Sequence, residues 1–394
     1  MQESPAEGGQ QEAATQSAAD SRQAQIARLQ AIGYTQGDEP PPSEDLVWFE
    51  DLGRVWPGYN LYVSEHSAKV YMLDLEGRVL HVWELPVQGL GGRTLLRRLE
   101  LLENGELLVL IEARGLFRID RDGKVLSAYL GASHHDFELL EDGSLYVLTN
   151  QAGIFPQYSE EDLLLNDFVR VLGPDGEVRK TISFVDAFLE SPYAHLLDDA
   201  GEGDVFHSNT VELLDGSLAD RDPSFAAGNL LVSCRNIHAI AVIDVETEKV
   251  VWALTGLFRA QHDPSVQEDG TILIFDNKDL ARGPGASRVI KVDPFEEEVV
   301  WEFHSTEDFP FGSGAGGACQ ALPNGNVLVT EARKGRILEI DPQGEVVWSF
   351  VNPARVGDDG ESVAVVYQML RVPVDTPLDW IPERDWPADV LTRP

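Results

Sequence analysis

The sequence predicts an all-β protein: a six-bladed β-propeller closed by a C-terminal strand and preceded by a disordered N-terminal tail. Three observations lead there. A hairpin signature recurs six times, five of the copies follow a second, glycine-centred strand pair, and one apolar strand is left over near the C-terminus.

The recurring hairpin is an apolar strand, a turn rich in Asp or Gly, and a second apolar strand that often carries Trp near its end. It reads "VYMLDLEGRVLHVWEL", "LFRIDRDGKVLSAYL", "VRVLGPDGEVRKTI", "AVIDVETEKVVWAL", "VIKVDPFEEEVVWEF" and "ILEIDPQGEVVWSF". The preceding pairs read "LELLENGELLVLIE", "HDFELLEDGSLYVL", "HSNTVELLDG…GNLLVSC", "HDPSVQEDGTILIF" and "CQALPNGNVLVTEA". A complete unit therefore has four strands, a to d, and units of this size repeated radially describe a propeller. Radial packing also hides most strand edges. Two packed β-sandwiches would use the same strands, but even spacing speaks against them.

The first unit begins at strand b, "YNLYVSE", with no strand a of its own. The spare strand "AVVYQMLRV", residues 364–372, is expected to supply it and close the ring. A helical insertion, "DAFLESPYAHLLDD", separates the third and fourth units. Residues 1–44, rich in Gln, Ala, Ser and Glu, have the composition of a disordered tether. The propeller domain is expected over 45–394, with a C-terminal extension from about 373. The start lacks the basic end and apolar run of a signal peptide. It suits an exported protein whose leader was removed, or a cytosolic protein with a floppy start, and the sequence favours neither.

Charge narrows the partners. Asp plus Glu number 67 against 30 Lys plus Arg, a formal charge of -37. Such a surface repels nucleic acid and anionic membranes, and an anionic ligand would need a local basic pocket. There is no apolar run of membrane-spanning length. The two cysteines, Cys234 and Cys319, allow at most one disulfide and no four-thiolate zinc site. "GSGAGG" (312–317) lacks the Lys and the strand–helix context of a phosphate loop.

Histidines mark the candidate site. His135 precedes Gly143 by eight residues, and His262 precedes Gly270 by eight. Asn150 and Asn277 each follow the same glycines by seven. Both frames place the histidine at the start of strand a and the asparagine at the end of strand b, on one face of the ring. His207 occupies the corresponding place in the fourth unit, with a count of nine to Gly216, and Arg235 lies seven after Gly228. Glu112 stands at the same seven-residue position after Gly105 in the second unit. His134 competes with His135: register with His262 favours His135, whereas a count made as for His207 favours His134. His238 and His304 are expected to be structural, Cys234 a buried thiol and Cys319 a small core filler.

Three imidazoles could ligate zinc, copper or iron, or act as nucleophile and acid/base. Arg235 favours the second use, because a guanidinium repels a divalent metal but matches sulfate, phosphate or carboxylate oxygens. No metal and no cofactor is assigned.

The order of "FHSNTVELL", "LLVSCRNIHAIAVID", "WALTG", "QHDPSVQEDGTILIFDN" and "ACQALPNGNVLVTEA" resembles the arylsulfate sulfotransferase family over roughly residues 59–372. Members are six-bladed propellers, typically periplasmic or exported, that move a sulfuryl group from a phenolic ester to another phenol without a nucleotide donor. The resemblance implies that His262 is the histidine transiently sulfurylated. It implies that His207 and Arg235 bind the transferring group, and that Asn209 supplies a further oxygen ligand. The first family histidine falls at His134 or His135, and Asn150 and Asn277 are expected to face substrate. Lys278 stands where the family often has a small residue. The implied partners are an aryl sulfate donor and a phenolic acceptor. A His-ligated metalloprotein and a non-catalytic propeller that binds a partner on its acidic surface are the competing readings.

Overall fold

The computed structural model describes residues 24–26, 39–43, 45–49, 51–85, 87, 95–278, 287–378 and 380–381. Six of their sheets are built on four antiparallel strands each, set as the blades of a propeller, and a two-stranded ribbon pairs Arg355–Val356 with Ser362–Val363. Blade 2 runs from Leu96 to Leu130 and blade 3 from Ser133 to Ser183. Blade 4 runs from Ser208 to Leu254, blade 5 from His262 to His304, and blade 6 from Ala318 to Val351.

Blade 1 takes strands b, c and d from Gly58–Ser64, Lys69–Leu73 and Val79–Glu84. Its strand a is Val366–Pro373 from the other end of the chain, with Leu61 opposite Leu370 and Val63 opposite Gln368. A short strand without a sequence signal, Val47–Phe49, adds to the outer edge of blade 6, with Trp48 opposite Ser349. Three residues are too few for an alternation pattern, so only pairing reveals it. Val47–Phe49 thus adds to blade 6 and Val366–Pro373 to blade 1, each ahead of or behind the rest of its own blade in the chain.

Most of the expected tail, residues 1–23, 27–38 and 44, lies outside the described residues. Residues 24–26 are one helical turn. Glu39, within the span expected as a disordered tether, lies against the propeller. Its carbonyl accepts from the Val363 N–H at 3.0 Å, and its carboxylate lies 3.6 Å from Arg333 Nε. A backbone donor in a buried segment requires such a partner, and residue 39 provides it.

Packing follows the blade plan. Six apolar clusters are buried among the described residues, and each joins two neighbouring blades. Alternation along the strands sends one face of each blade into each cluster. The insertion between blades 3 and 4 contributes a helix, Phe184–Leu189, capped by the Ser183 hydroxyl accepting from the Asp186 N–H. Its Phe184, Val185 and Phe188 complete the cluster of those blades. At the closing junction Trp348 is fully buried and donates from Nε1 to Leu75 O at 3.0 Å. Arg371, in the closing strand, is also fully buried. It donates to Asn60 Oδ1 at 2.7 Å and Glu339 Oε2 at 2.9 Å.

On the channel side, strand a of blades 2 to 5 is irregular at one level. The pairing slips between Leu96 and Arg98, opposite Val147 and Thr149, between Ser208 and Thr210, and between His262 and Ser265. A bulge re-aims the side chains beside it. Here it turns residues of four blades toward one mouth of the channel.

Two outcomes test this closure. Deleting residues 364–394 should open the edge of blade 1 and lower the melting temperature by about 10 °C or more, through loss of several buried apolar side chains. A truncated chain that melts with the full one would contradict the topology. Arg371→Met should cost about 3–5 kcal/mol in denaturant titration, because Glu339 is left charged and buried. A cost within error of zero would show that the pair contributes nothing.

Candidate active site

The floor of the site is polar. Arg98, on strand a of blade 2, reaches across the channel to Asp136 Oδ1 at 2.9 Å and Asp263 Oδ1 at 2.8 Å. Asp136 in turn accepts from the Val211 N–H of blade 4 at 3.1 Å, and Asp263 from the Cys319 N–H of blade 6 at 2.7 Å. Burial pushes Asp136 up to about 6 despite the neighbouring guanidinium. Arg98 itself is raised: burial would lower it, but the two carboxylates prevail.

His262 stands above this floor, buried at the start of strand a of blade 5. Its Nδ1 lies 2.6 Å from Asn277 Oδ1 and 3.1 Å from Ala260 O. The Asn277 amide is oriented by its own donors, because Nδ2 gives to Ser313 O at 2.9 Å and Gly316 O at 2.7 Å. Its oxygen therefore faces the imidazole, so Nδ1 carries the proton and Nε2 keeps a lone pair. The close approach of blade 6 needs Gly317: at φ 134°, a Cβ there would fall 2.7 Å from the Phe275 ring. Burial pushes His262 down to about 3, and the charge of Arg235 adds to it.

His207 is oriented by a carboxylate. Asp204 accepts from His207 Nδ1 at 2.5 Å and from the His207 backbone N–H at 3.1 Å. Asp204 is placed by a two-residue strand, Gly203–Asp204, parallel to strand c of blade 3. His135 and His207 meet edge to face with ring centroids 5.2 Å apart. Burial, and then the neighbouring imidazoles, hold His135 well below the ordinary histidine range. His135 at φ 54°, His207 at φ 48° and Asp263 at φ 51° are all left-handed. This conformation costs a non-glycine residue about 1–3 kcal/mol and concentrates at functional sites.

These groups surround a cavity of about 240 Å³. His135, His207, His262, Arg235 and Asn209 line it, as the sequence expects. Asn209 is held by donating to Gln261 O at 2.8 Å, and Arg235 Nη1 donates to Asn236 Oδ1 at 2.8 Å. Asn277 lies behind His262 and orients it. His134 also lies behind the wall: it is buried, 3.0 Å from His135 between the Nδ1 atoms, with Asp167 3.5 Å from its Nε2. Between the two histidines, His135 is the one at the cavity.

Asn150 is a correction. Strand b of blade 3 runs on to Gly153, which places Asn150 inside the strand opposite Asp167 and away from the cavity lining. Its counterpart Asn277 follows the end of its strand. The enlarged hairpin of blade 3 consumed the seven-residue frame.

Arg97, Arg98, Asp263, Arg333, Tyr367 and Gln368 also line the cavity, beyond the residues expected from the sequence. Arg97 had a signal, because it precedes Gly105 by eight residues as His262 precedes Gly270. Its Nε donates to Glu112 at 2.8 Å, so the residues eight before and seven after the glycine bond in blade 2 as in blade 5. Arg333, Tyr367 and Gln368 had none, since they come from loops and from the displaced closing strand. Cys234 and Cys319 are free and buried, and His304 is exposed on strand d of blade 5. Among the described residues no three His, Cys, Asp or Glu side chains are grouped to hold a metal, so the ligand reading gains no observation. No helix among them is long and apolar enough to cross a membrane.

The channel mouth of this propeller gathers three imidazoles, an amide and several guanidinium groups. The chain belongs to the arylsulfotransferase (ASST) family, whose model matches residues 101–353. No curated protein matches it. Among solved structures, a protein of unknown function from Bacteroides caccae is 14% identical with a TM-score of 0.54, covering 80% of this chain and 99% of that one. A streptogramin B lyase is 14% identical with a TM-score of 0.46, over 84% of this chain and 100% of that one. The WD40 propeller domain of Doa1 is 12% identical with a TM-score of 0.44, over 86% and 96%. At these identities the Bacteroides structure speaks for the fold alone.

The buried state of His262 has a measurable consequence. Its folded pKa lies below the unfolded value of 6.5, so the unfolded chain binds the extra proton. This contribution is complete above about pH 6.5 and is lost as pH falls toward 3, at up to about 1.4 kcal/mol per pH unit. Relative to wild type, His262→Gln should gain stability progressively over that window in urea titrations. A difference between the two proteins that does not change with pH would contradict the burial of a neutral imidazole.

Proposed function

We propose that the protein is an aryl sulfotransferase that carries a sulfuryl group on His262 between a phenolic sulfate ester and a phenolic acceptor, with no nucleotide donor. The observation that carries the reading is the Asn277 lock, which leaves the His262 Nε2 lone pair unprotonated beside a cavity that Arg235 lines.

In the first half-reaction, Nε2 of His262 attacks sulfur and the bond from sulfur to the aryl oxygen breaks. The leaving oxygen takes the electron pair and receives a proton from Nε2–H of protonated His207. In the second, an acceptor hydroxyl gives its proton to His207 and attacks sulfur, and the N–S bond breaks to restore the lone pair of His262. Arg235 and Asn209 hold the sulfonyl oxygens, where charge develops. Asp204 keeps the His207 ring oriented and offsets charge on it. His135 lines the same wall, with His134 and Asp167 behind it, and helps hold the sulfonyl group. Membership of the family supports the reaction class, and the basic cavity in a chain of net charge -37 supports an anionic substrate. The protein would act in the periplasm or outside the cell, as the family's habit suggests.

Incubation with 4-nitrophenyl sulfate should give a burst of nitrophenol and one acid-labile sulfuryl group, on the peptide that contains "QHDPSV". His262→Ala should abolish both. Arg235→Ala should slow the burst by about 10²–10³-fold, the cost of losing a group that stabilises transition-state charge, and leave the labelled site unchanged. A label on His207 or His135 would move the nucleophile, and activity lost to a chelator and restored by a metal would replace the mechanism.

A further inference from the structure

The cavity has a second wall that the transfer step does not use. Blades 3, 4 and 5 contribute His135, His207, Asn209, Arg235 and His262. The opposite side is made by Arg97 of blade 2, Tyr367 and Gln368 of the closing strand, Val365 just before it, and Ala315 to Ala318 and Arg333 of blade 6. The Arg97 guanidinium lies over the Tyr367 ring, 4.0 Å from its centroid. Apolar surface and cationic groups are therefore interleaved there. A plain phenyl ring would need the apolar part alone.

The cationic part is built with care. Arg97 is buried, and Glu112 fixes its Nε by the same coupling of strand start to strand end through which Asn277 fixes His262. Arg97 is thus aimed at the cavity by the device that aims the proposed nucleophile. Arg97 has one carboxylate against it, Glu112, whereas Arg98 has two, Asp136 and Asp263, and belongs to the floor. Arg333 stands at the rim with Glu39 3.6 Å away. In a chain of net charge -37, an organic dianion enters only where local cations overcome the overall field. A planar guanidinium beside an aromatic face is suited to a carboxylate on a ring.

We propose that Arg97, Arg333 and Tyr367 form a subsite for the aryl group of the substrate, and that this group carries a second anionic substituent, a ring carboxylate. The proposal rests on the sulfuryl-transfer reading of the cavity for its kinetics, though not for binding. The ring lies along Tyr367, Val365 and the Ala315–Ala318 segment, its carboxylate against Arg97 and Arg333, and its ester oxygen toward His262 and His207.

Two arms decide it. In the kinetic arm, kcat/KM is compared for 4-carboxyphenyl sulfate and its methyl ester, in wild type and in Arg97→Gln, with the Arg97→Gln/Glu112→Gln pair as a second variant that leaves no buried carboxylate alone. The charged ester should be preferred by on the order of tenfold to hundredfold in wild type, as for a hydrogen bond to a charged group. The preference should fall toward unity in both variants and weaken in Arg333→Gln. In the binding arm, calorimetry with 4-hydroxybenzoate and methyl 4-hydroxybenzoate on the full chain should give the same ordering of affinities and the same dependence on Arg97. Equal affinities in wild type, or a preference that survives both Arg97 variants, would overturn the subsite. Absence of any sulfuryl label with every ester would instead overturn the transfer reading, and the calorimetry would still decide the subsite.

Discussion

Arg98 spans the channel between Asp136 and Asp263, and the groups above it take their positions from that bridge. A carboxylate as buried as Asp136 is tolerable only with a cation and donors beside it, and both carboxylates are in turn satisfied by backbone donors of other blades. Asp136 ties blade 3 to Val211 of blade 4, and Asp263 ties blade 5 to Cys319 of blade 6. Asn209 bonds Gln261 between blades 4 and 5, Gln320 bonds Arg371 between 6 and 1, and Gln368 bonds Leu99 between 1 and 2. The inner strands are therefore coupled around the whole ring by polar contacts, while the apolar clusters couple the blades further out. A propeller needs the second to fold. It needs the first to hold a constellation from six blades in one geometry.

On this base, the bulged strands turn backbone strain into aim. His135, His207 and Asp263 take left-handed conformations where an ordinary strand would send alternate side chains away from the channel. The cost is met by the surrounding pairing, and it brings imidazoles of adjacent blades within ring contact. The two lining histidines with resolved orienting partners are then differentiated. An amide holds His262 at Nδ1 with a lone pair at Nε2, whereas a carboxylate holds His207. One arrangement suits a nucleophile and the other a group that gives and takes a proton.

The sequence carried much of this, for identifiable reasons. Hairpin turns with fixed glycines, such as Gly143 and Gly270 at φ 84°, set a frame that repeats, so strands, blades and the histidine positions could be counted from it. The same frame that placed Glu112 also contained its partner Arg97, which carries no imidazole to mark it. It failed at Asn150, where the strand runs on past the counted position, and between His134 and His135, because a bulge breaks the alternation that would decide. Tyr367 and Arg333 were out of reach: no spacing rule connects the closing strand or a loop to a cavity assembled by ring closure. Nor could composition show that Glu39 returns to the propeller, since that depends on one backbone donor at Val363.

The central claim is that the bridged floor and bulged strands build one anion pocket in which an ester sulfur faces Nε2 of His262. A crystal structure of the His262→Asn variant soaked with 4-nitrophenyl sulfate tests it most directly. The account predicts the sulfate oxygens on Arg235 and Asn209, the bridging oxygen toward His207, and the ring against the Tyr367 wall. An ester bound at the other mouth of the channel, or with its sulfate on Arg97 and its ring toward His262, would contradict it.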